Sequence, residues 1–209
     1  MNNEINIAVV GLGQIGSYLL NELINKKKDI LNKTGKKINI VAISAKNKNK
    51  KRSFKINKKI FYSNPLEIIK KKKIHILFEA IGLSDGISKK VVEKALRKGI
   101  HVITPNKALI SKYGDHLSKL AEENKVNLEF EASVGGGIPI LRTIKEGLAT
   151  NKISKVYGIL NGTSNYILSE MESTKHSFND VLKKAQSLGY AEPGNPKLDL
   201  NGYDALAKV

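Results

Sequence analysis

The sequence predicts an α/β chain: a doubly wound parallel sheet over residues 1–132, followed by an α+β portion over residues 133–209. Three observations predict it. Short β-rich runs alternate with helical patterns of about 10–15 residues, as βαβ units require. A glycine-rich turn follows the first run directly and opens the first helix. Past Ala132 the texture changes to a glycine cluster and then to closely spaced helical segments.

In chain order, "INIAVV" (Ile5–Val10) reads as a strand buried on both faces, and "SYLLNELINK" continues as a helix. "INIVAIS" (Ile38–Ser44) is a second strand, and "KIFYS" a short one. Asn64 and Pro65 form an N-cap and first helical position before "LEIIKKK". "IHILFEA" (Ile74–Ala80) is a strand, and "SKKVVEKALRKG" is an amphipathic helix stopped by Gly99. "HVIT" is a strand, "GDHLSKLAEENK" a helix and "VNLEFEA" a strand, with the domain boundary near Phe130–Ser133. Beyond it come a helix in "ILRTIKEGL", a strand in "ISKVYGIL", a turn at "NGTSN" and a helix in "YILSEMES". A last helix, "FNDVLKKAQSL", has Ser177 and Asp180 spaced as a capping box and Gly189 as its stop.

With 209 residues the chain can bury one core, or one domain and part of another. Cysteine is absent, which removes disulfides, thiolate metal sites and thiol nucleophiles, and fits a cytoplasmic protein. No apolar run reaches the length of a membrane helix. The four histidines (His75, His101, His116, His176) lack ligand spacing, so zinc and iron are not expected. The net charge is +17, and residues 1–73 hold 18 basic against 4 acidic side chains. Clustered cations suit a phosphate-binding surface, or simply a solvated one. Only three arginines occur, Arg52, Arg97 and Arg142, which argues against nucleic acid as the partner.

Gly11-Leu12-Gly13-Gln14-Ile15-Gly16 gives the lysines a local purpose. Glycines at these spacings allow a tight turn, close approach of backbone to a pyrophosphate, and close helix–strand packing; the anion rests on the helix N-terminus. The strand before and the helix after make this a Rossmann-type dinucleotide turn. At the end of the second strand an NAD site commonly places an acid for the ribose 2′-hydroxyl. Here "AISAKNKNKKR" holds none, and a 2′-phosphate would find Lys46, Lys48 or Arg52 within reach. NADP is therefore favoured over NAD.

Four further stretches carry a resemblance: "TPNKALI" (Thr104–Ile110), "EASVGGGIPI" (Glu131–Ile140), "NGTSNYIL" (Asn161–Leu168) and, from Ala185, "AQSLGYAEPGNPKLDLNGYDALAK". Together with the glycine turn they resemble homoserine dehydrogenase along the whole chain. The resemblance implies interconversion of aspartate 4-semialdehyde and homoserine with NADP(H) or NAD(H), in threonine, methionine and isoleucine biosynthesis. It also implies a homodimer for the full-length form, and no membrane or nucleic-acid partner.

By resemblance, Gly11, Gly13, Gln14, Ile15, Gly16, Lys46, Lys107 and Gly189 bind the cofactor. Glu192, Asp199, Asp204 and Lys107 bind the amino-acid substrate, and Lys208, Lys107 and Asp204 are catalytic. Lys208 is the implied acid–base residue, and Lys107 stabilises charge on the substrate oxygen. Independently, Asp204 and Lys208 stand four apart and share a helix face if that segment is helical; an exposed ion pair has the same spacing. Lys107 follows a strand at the carboxyl edge of the sheet, where doubly wound folds bind ligands. Glu131, Val134, Gly136 and Ile138 match the family's sodium loop, although the residues alone suit a glycine hinge equally well. Relatives continue for a hundred residues or more past the counterpart of Lys208. The expectation is a truncated chain with an incomplete substrate domain, whose own activity is weaker than the family's or lost.

Overall fold

The strand-forming runs pair side by side in the computed structural model, which describes residues 3–50, 52, 57–194 and 196–209. Strands β1 (Glu4–Val10), β2 (Lys37–Ser44), β3 (Phe61–Tyr62), β4 (Ile76–Glu79), β5 (His101–Ile103) and β6 (Leu128–Glu129) form one sheet. Its order is β3-β2-β1-β4-β5-β6 and every pairing is parallel. The order reverses between β1 and β4, so a crevice opens at their carboxyl ends, Val10 and Glu79.

Alternation along β1 explains why both faces are covered. Ile7 and Val9 pack with Leu20 and Leu23 of α1 (Gln14–Asn25) on one side. Ala8 and Val10 face the other way, into a larger core that holds Ile68 and Ile69 of α3 (Pro65–Lys71). That core also takes Val91, Val92, Ala95 and Leu96 of α4 (Ile87–Arg97), and Leu109, Leu117 and Leu120 of α5 (Lys107–Glu123). A side-chain period of two thus feeds two helical layers from one strand.

Local chemistry sets the helix ends. Asn64 accepts from Leu66 N–H with Pro65 at the first position of α3, as expected. Three elements differ from expectation. Between the first two strands the chain adds α2 (Lys27–Thr34), an element not expected from the sequence, a helix with no buried residue, stopped by Gly35 at φ 66°. Helix α5 begins at Lys107, not near Gly114, because Asn106 caps it by accepting from Leu109 N–H. Gly114 lies inside the helix, and the apolar face around it outweighs a glycine cost of about 1 kcal/mol. The run Val126–Ala132 pairs only at Leu128–Glu129; Glu131 already starts the short helix α6 (Glu131–Val134).

The chain divides into two compact units, Met1–Lys145 and Glu146–Val209. The first ends with α7 (Ile140–Arg142), which runs into a π-type turn over Thr143–Gly147. The second is built from α8 (Gly162–Thr174), α9 (Phe178–Ser187), α10 (Lys197–Leu200) and α11 (Tyr203–Leu206). Its small core joins Ile167, Val181, Ala185 and Ala191. Ser177 caps α9 by accepting from Asp180 N–H, and Gly189 follows it at φ 78°, as its role as stop requires.

Two expectations for this unit change. "NGTSN" is not a free turn but the start of α8, capped by Asn161. "ISKVYGIL" forms no strand, because a strand needs a neighbour and none lies in this unit among the described residues. Ile153, Val156, Tyr157 and Ile159 are exposed there.

Candidate functional site

In the first unit, the glycine turn is shaped by close approach. Gly11 adopts φ 89°, and a Cβ there would stand 2.3 Å from the Ala80 carbonyl oxygen. A Cβ on Gly16 would stand 1.8 Å from the Gly11 carbonyl oxygen. Gly13 differs: a Cβ there would meet nothing within 4 Å. That space lies over the N-terminus of α1, which Gly13 caps without a side chain. The first N–H groups of the helix, at Gln14, Ile15 and Gly16, have no intrahelical acceptor, so they suit a phosphate. The chain therefore closes two of the three glycine positions with its own atoms and leaves the third open for a ligand.

A cleft of about 630 Å³ extends from this turn, lined among others by Gly13, Ser44, Lys46, Arg52, Ile81 and Leu83. Lys46 is exposed on its rim. Arg52, one of three alternative cations for a 2′-phosphate, lines the cleft while its guanidinium donates to the carbonyls of Asn47 (2.8 Å), Lys50 (2.9 Å) and Leu12 (3.3 Å). It binds the lysine loop to the glycine turn. Lys51 and Lys55 of the same cluster lie outside the described residues.

The opposite wall is the loop after β4. Asp85 fixes it from outside, accepting from Ser84 Oγ at 2.6 Å, Lys112 Nζ at 2.9 Å and Tyr113 OH. The Ser84 hydroxyl, then Tyr113 and Lys112, hold the Asp85 carboxyl well below the usual carboxylate range. Beneath the loop, Glu79 is fully buried and bonded to Ser88, Thr104 and Asn106. Lys107, half-buried, is the first residue of α5 immediately after Asn106.

At the end of this unit, both carboxylate oxygens of Glu131 accept backbone N–H groups, from Leu141 at 2.9 Å and Arg142 at 2.8 Å. The Ile138 carbonyl accepts from Ile140 N–H at 2.8 Å. The loop Glu131–Ile138 is thus tied to the backbone of residues 140–142, while a carboxylate or carbonyl oxygen that accepts one N–H has a second lone pair that suits a hard cation. Among the described residues no three His, Asp or Glu side chains gather as metal ligands.

In the second unit, three segments meet in one polar cluster. Lys208 Nζ stands 2.7 Å from Asp204 Oδ2 and donates to the Leu160 carbonyl at 2.6 Å. The two side chains are only 20% and 13% exposed. Asn161 donates from one amide group to Asp199 Oδ1 at 2.8 Å and to Asp204 Oδ2 at 2.9 Å, while its Oδ1 caps α8 through Ser164 N–H. Thr163 Oγ1 bonds the Tyr190 carbonyl at 2.6 Å and lies 3.3 Å from Asp199 Oδ2.

Asp199, Asp204 and Lys208 are therefore brought together. Glu192 is exposed in the loop after α9, where its carbonyl accepts from Gln186 at 3.0 Å; Asn195 of the same motif lies outside the described residues. Sequence reasoning gave no role to Asn161 or Glu79. Asn161 has the look of any helix cap, and Glu79 that of one acid in a strand.

A parallel sheet in this order, with a ligand-ready glycine turn at its switch point, defines a dinucleotide-binding Rossmann domain. Comparison with known proteins narrows the class. The family model for the NAD-binding domain of homoserine dehydrogenase matches residues 11–131, and the homoserine dehydrogenase model matches residues 139–209. The chain belongs to the homoserine dehydrogenase family.

It is 40% identical over 205 residues to homoserine dehydrogenase of Neisseria gonorrhoeae, covering 98% of this chain and 46% of that protein. It is 37% identical to the Bacillus subtilis enzyme, covering 98% and 47%. A solved homoserine dehydrogenase from Thiobacillus denitrificans superposes with a TM-score of 0.84 at 38% identity, covering 98% of this chain and 47% of that one. A hyperthermophilic archaeal homoserine dehydrogenase in complex with NADPH gives a TM-score of 0.77 at 25% identity, covering 98% and 67%. The chain spans about half the length of the curated relatives it matches. No helix among the described residues is long and apolar enough to cross a membrane.

Proposed function

We propose that the chain carries the cofactor-binding and acid–base parts of a cytoplasmic oxidoreductase that interconverts aspartate 4-semialdehyde and homoserine, in threonine, methionine and isoleucine biosynthesis. Its cofactor domain is assigned to residues 1–132 and its substrate domain to 133–209, a division supported by the two family models. The observation that carries the reading is the shielded Lys208–Asp204 pair, tied through Asn161 to Asp199 in a chain of this family.

The nicotinamide, when bound, supplies or accepts the hydride. The chain's residues do the rest. Gly11, Gly13, Gln14, Ile15 and Gly16 seat the pyrophosphate; Gly189 keeps the cofactor role that the family resemblance gives it. Lys46 meets the ribose, where a cation without an acid favours NADP over NAD. Glu192 and Asp199 recognise the substrate's ammonium and hydroxyl.

Lys208 gives a proton to the carbonyl oxygen during reduction and takes it back during oxidation. Two of its three hydrogens are used by Asp204 and Leu160, which leaves the third for substrate. Asp204 steadies that ammonium; the role the family resemblance gives Lys107 is to stabilise negative charge on a substrate oxygen. Glu131, Val134, Gly136 and Ile138 form the sodium loop of this reading, supported by their oxygen-rich backbone. The exposed apolar side chains of residues 153–159 support a homodimer for the full-length form.

A second reading has its own support: α11 is a single turn, so Asp204 and Lys208 sit on a short support. On that reading the chain binds cofactor but turns over weakly. NADPH titration followed by fluorescence tests the cofactor half, with saturable binding expected. Homoserine-dependent reduction of NADP tests the rest. Lys208→Ala is expected to remove roughly 10²- to 10⁴-fold of any rate observed. Binding without turnover selects the second reading, and no binding removes both.

A further inference from the structure

We infer that Glu79 is a positioning residue that sets both the wall of the cofactor cleft and the turn presenting Lys107. The inference rests on the dehydrogenase reading for its functional half. Glu79 ends β4 at the switch point of the sheet and is 0% exposed. Its Oε1 accepts from Ile81 N–H at 2.8 Å and from Ser88 Oγ. Its Oε2 accepts from Thr104 Oγ1 at 2.6 Å and from Asn106 Nδ2 at 3.3 Å.

Each donor has a further duty. Ile81 lines the cleft. Asn106 Nδ2 also donates to the Leu83 carbonyl at 2.8 Å, and Asn106 Oδ1 caps α5 through Leu109 N–H. Thr104 Oγ1, while donating to Glu79, accepts from Asn106 N–H at 3.0 Å. One carboxylate therefore joins the loop after β4, the first turn of α4, the end of β5 and the cap of α5.

The network has a fixed polarity, and that singles out a carboxylate. Ile81 N–H at Oε1 cannot become an acceptor. The Asn106 amide group at Oε2 cannot turn over without setting its oxygen against the Leu83 carbonyl and its NH₂ against Leu109 N–H. A glutamine at 79 would point its own NH₂ at a fixed donor in either orientation. Packing alone would accept glutamine, which has nearly the same shape; positioning by hydrogen bonds would not.

The test uses the whole chain, as wild type, Glu79→Gln, Thr104→Val and Thr104→Ser, at a temperature where each is folded. Amide exchange is read by NMR, and NADPH affinity by fluorescence. In Glu79→Gln the amides of Ile81, Asn106 and Leu109 are expected to exchange about tenfold or more faster, while Val9 and Leu77 keep their protection. NADPH affinity is expected to fall roughly tenfold. Thr104→Val should follow the same pattern, and Thr104→Ser, which restores the hydroxyl, should match wild type.

Unchanged protection at Ile81 and Leu109, or no difference between Thr104→Val and Thr104→Ser, overturns the inference. Lost protection with unchanged NADPH affinity overturns its functional half. If Glu79→Gln does not fold, the Thr104 pair decides alone. If wild type binds no NADPH, the dehydrogenase reading falls, and the exchange pattern still decides whether Glu79 holds the turn.

Discussion

The glycine turn after β1 and the cluster around Lys208 are built in opposite ways. At the turn, side chains are missing: Gly11 and Gly16 let backbone touch backbone, and Gly13 leaves a space the chain does not fill. At the cluster, side chains are crowded: Asn161, Asp199, Asp204 and Lys208 come from three segments and satisfy one another. The first arrangement is fixed by backbone contacts of the turn with Ser44 and Ala80 at the ends of the neighbouring strands. The second exists only once α8, α10 and α11 have docked. Substitutions should therefore separate fold from ligand binding cleanly at the turn and poorly at the cluster.

The largest expected effect lies within the turn itself. Gly16→Ala and Gly11→Ala drive a methyl group into backbone, which costs at least about 3 kcal/mol and should leave little folded protein. Gly13→Ala meets no atom, so its stability should stay within about 1 kcal/mol of wild type. NADPH should nonetheless bind it at least about tenfold more weakly, because the methyl occupies the ligand's place. Chemical denaturation together with fluorescence titration measures both. Equal loss of stability at all three glycines would break the comparison.

Asn161→Ala comes next, with about 2 kcal/mol lost from unfolding free energy: a helix cap disappears, and two part-buried carboxylates lose a shared donor. Asn161→Asp keeps the cap acceptor but adds a third negative charge beside Asp199 and Asp204. It should unfold at a lower temperature than wild type, and an unchanged melting curve would show that the amide bridge is incidental. The smallest effect is at exposed Asp85, whose folded pKa lies below its unfolded one. The stability it gives is fully present above the ordinary aspartate range near pH 4 and is lost only as pH falls through the lowered value. The melting-temperature gap between wild type and Asp85→Asn should hold steady through neutral pH and close only in strong acid.

The same contrast explains what could be read from sequence. The strands of the sheet are legible because burial on both faces leaves near-continuous apolar runs, as at Ile5–Val10. The turn is legible because steric need leaves glycine at fixed spacing. The start of α5 was misplaced because Gly114 looks like a break, whereas the deciding residue is Asn106, whose cap involves a buried acid 27 positions earlier. Ile153–Leu160 has the composition of a strand, but pairing belongs to a neighbour, and composition says nothing of neighbours. In the cluster, the i, i+4 spacing of Asp204 and Lys208 could be read directly. The bridge from Asn161, 38 and 43 residues away from its partners, follows from no local pattern.

Arg52 constrains any redesign of the cleft. Its guanidinium fastens Asn47 and Lys50 on one side and Leu12 on the other. On the proposed cofactor reading, the segment that would meet the ribose is thereby tied to the glycine turn that would seat the pyrophosphate. Engineering a switch in coenzyme preference by replacing Lys46 alone keeps that coupling, whereas recasting the whole 46–52 segment would tilt the anion seat as well. On that reading selectivity and affinity are geared together, and a library that varies one while preserving Arg52 should yield far more working variants than one that does not.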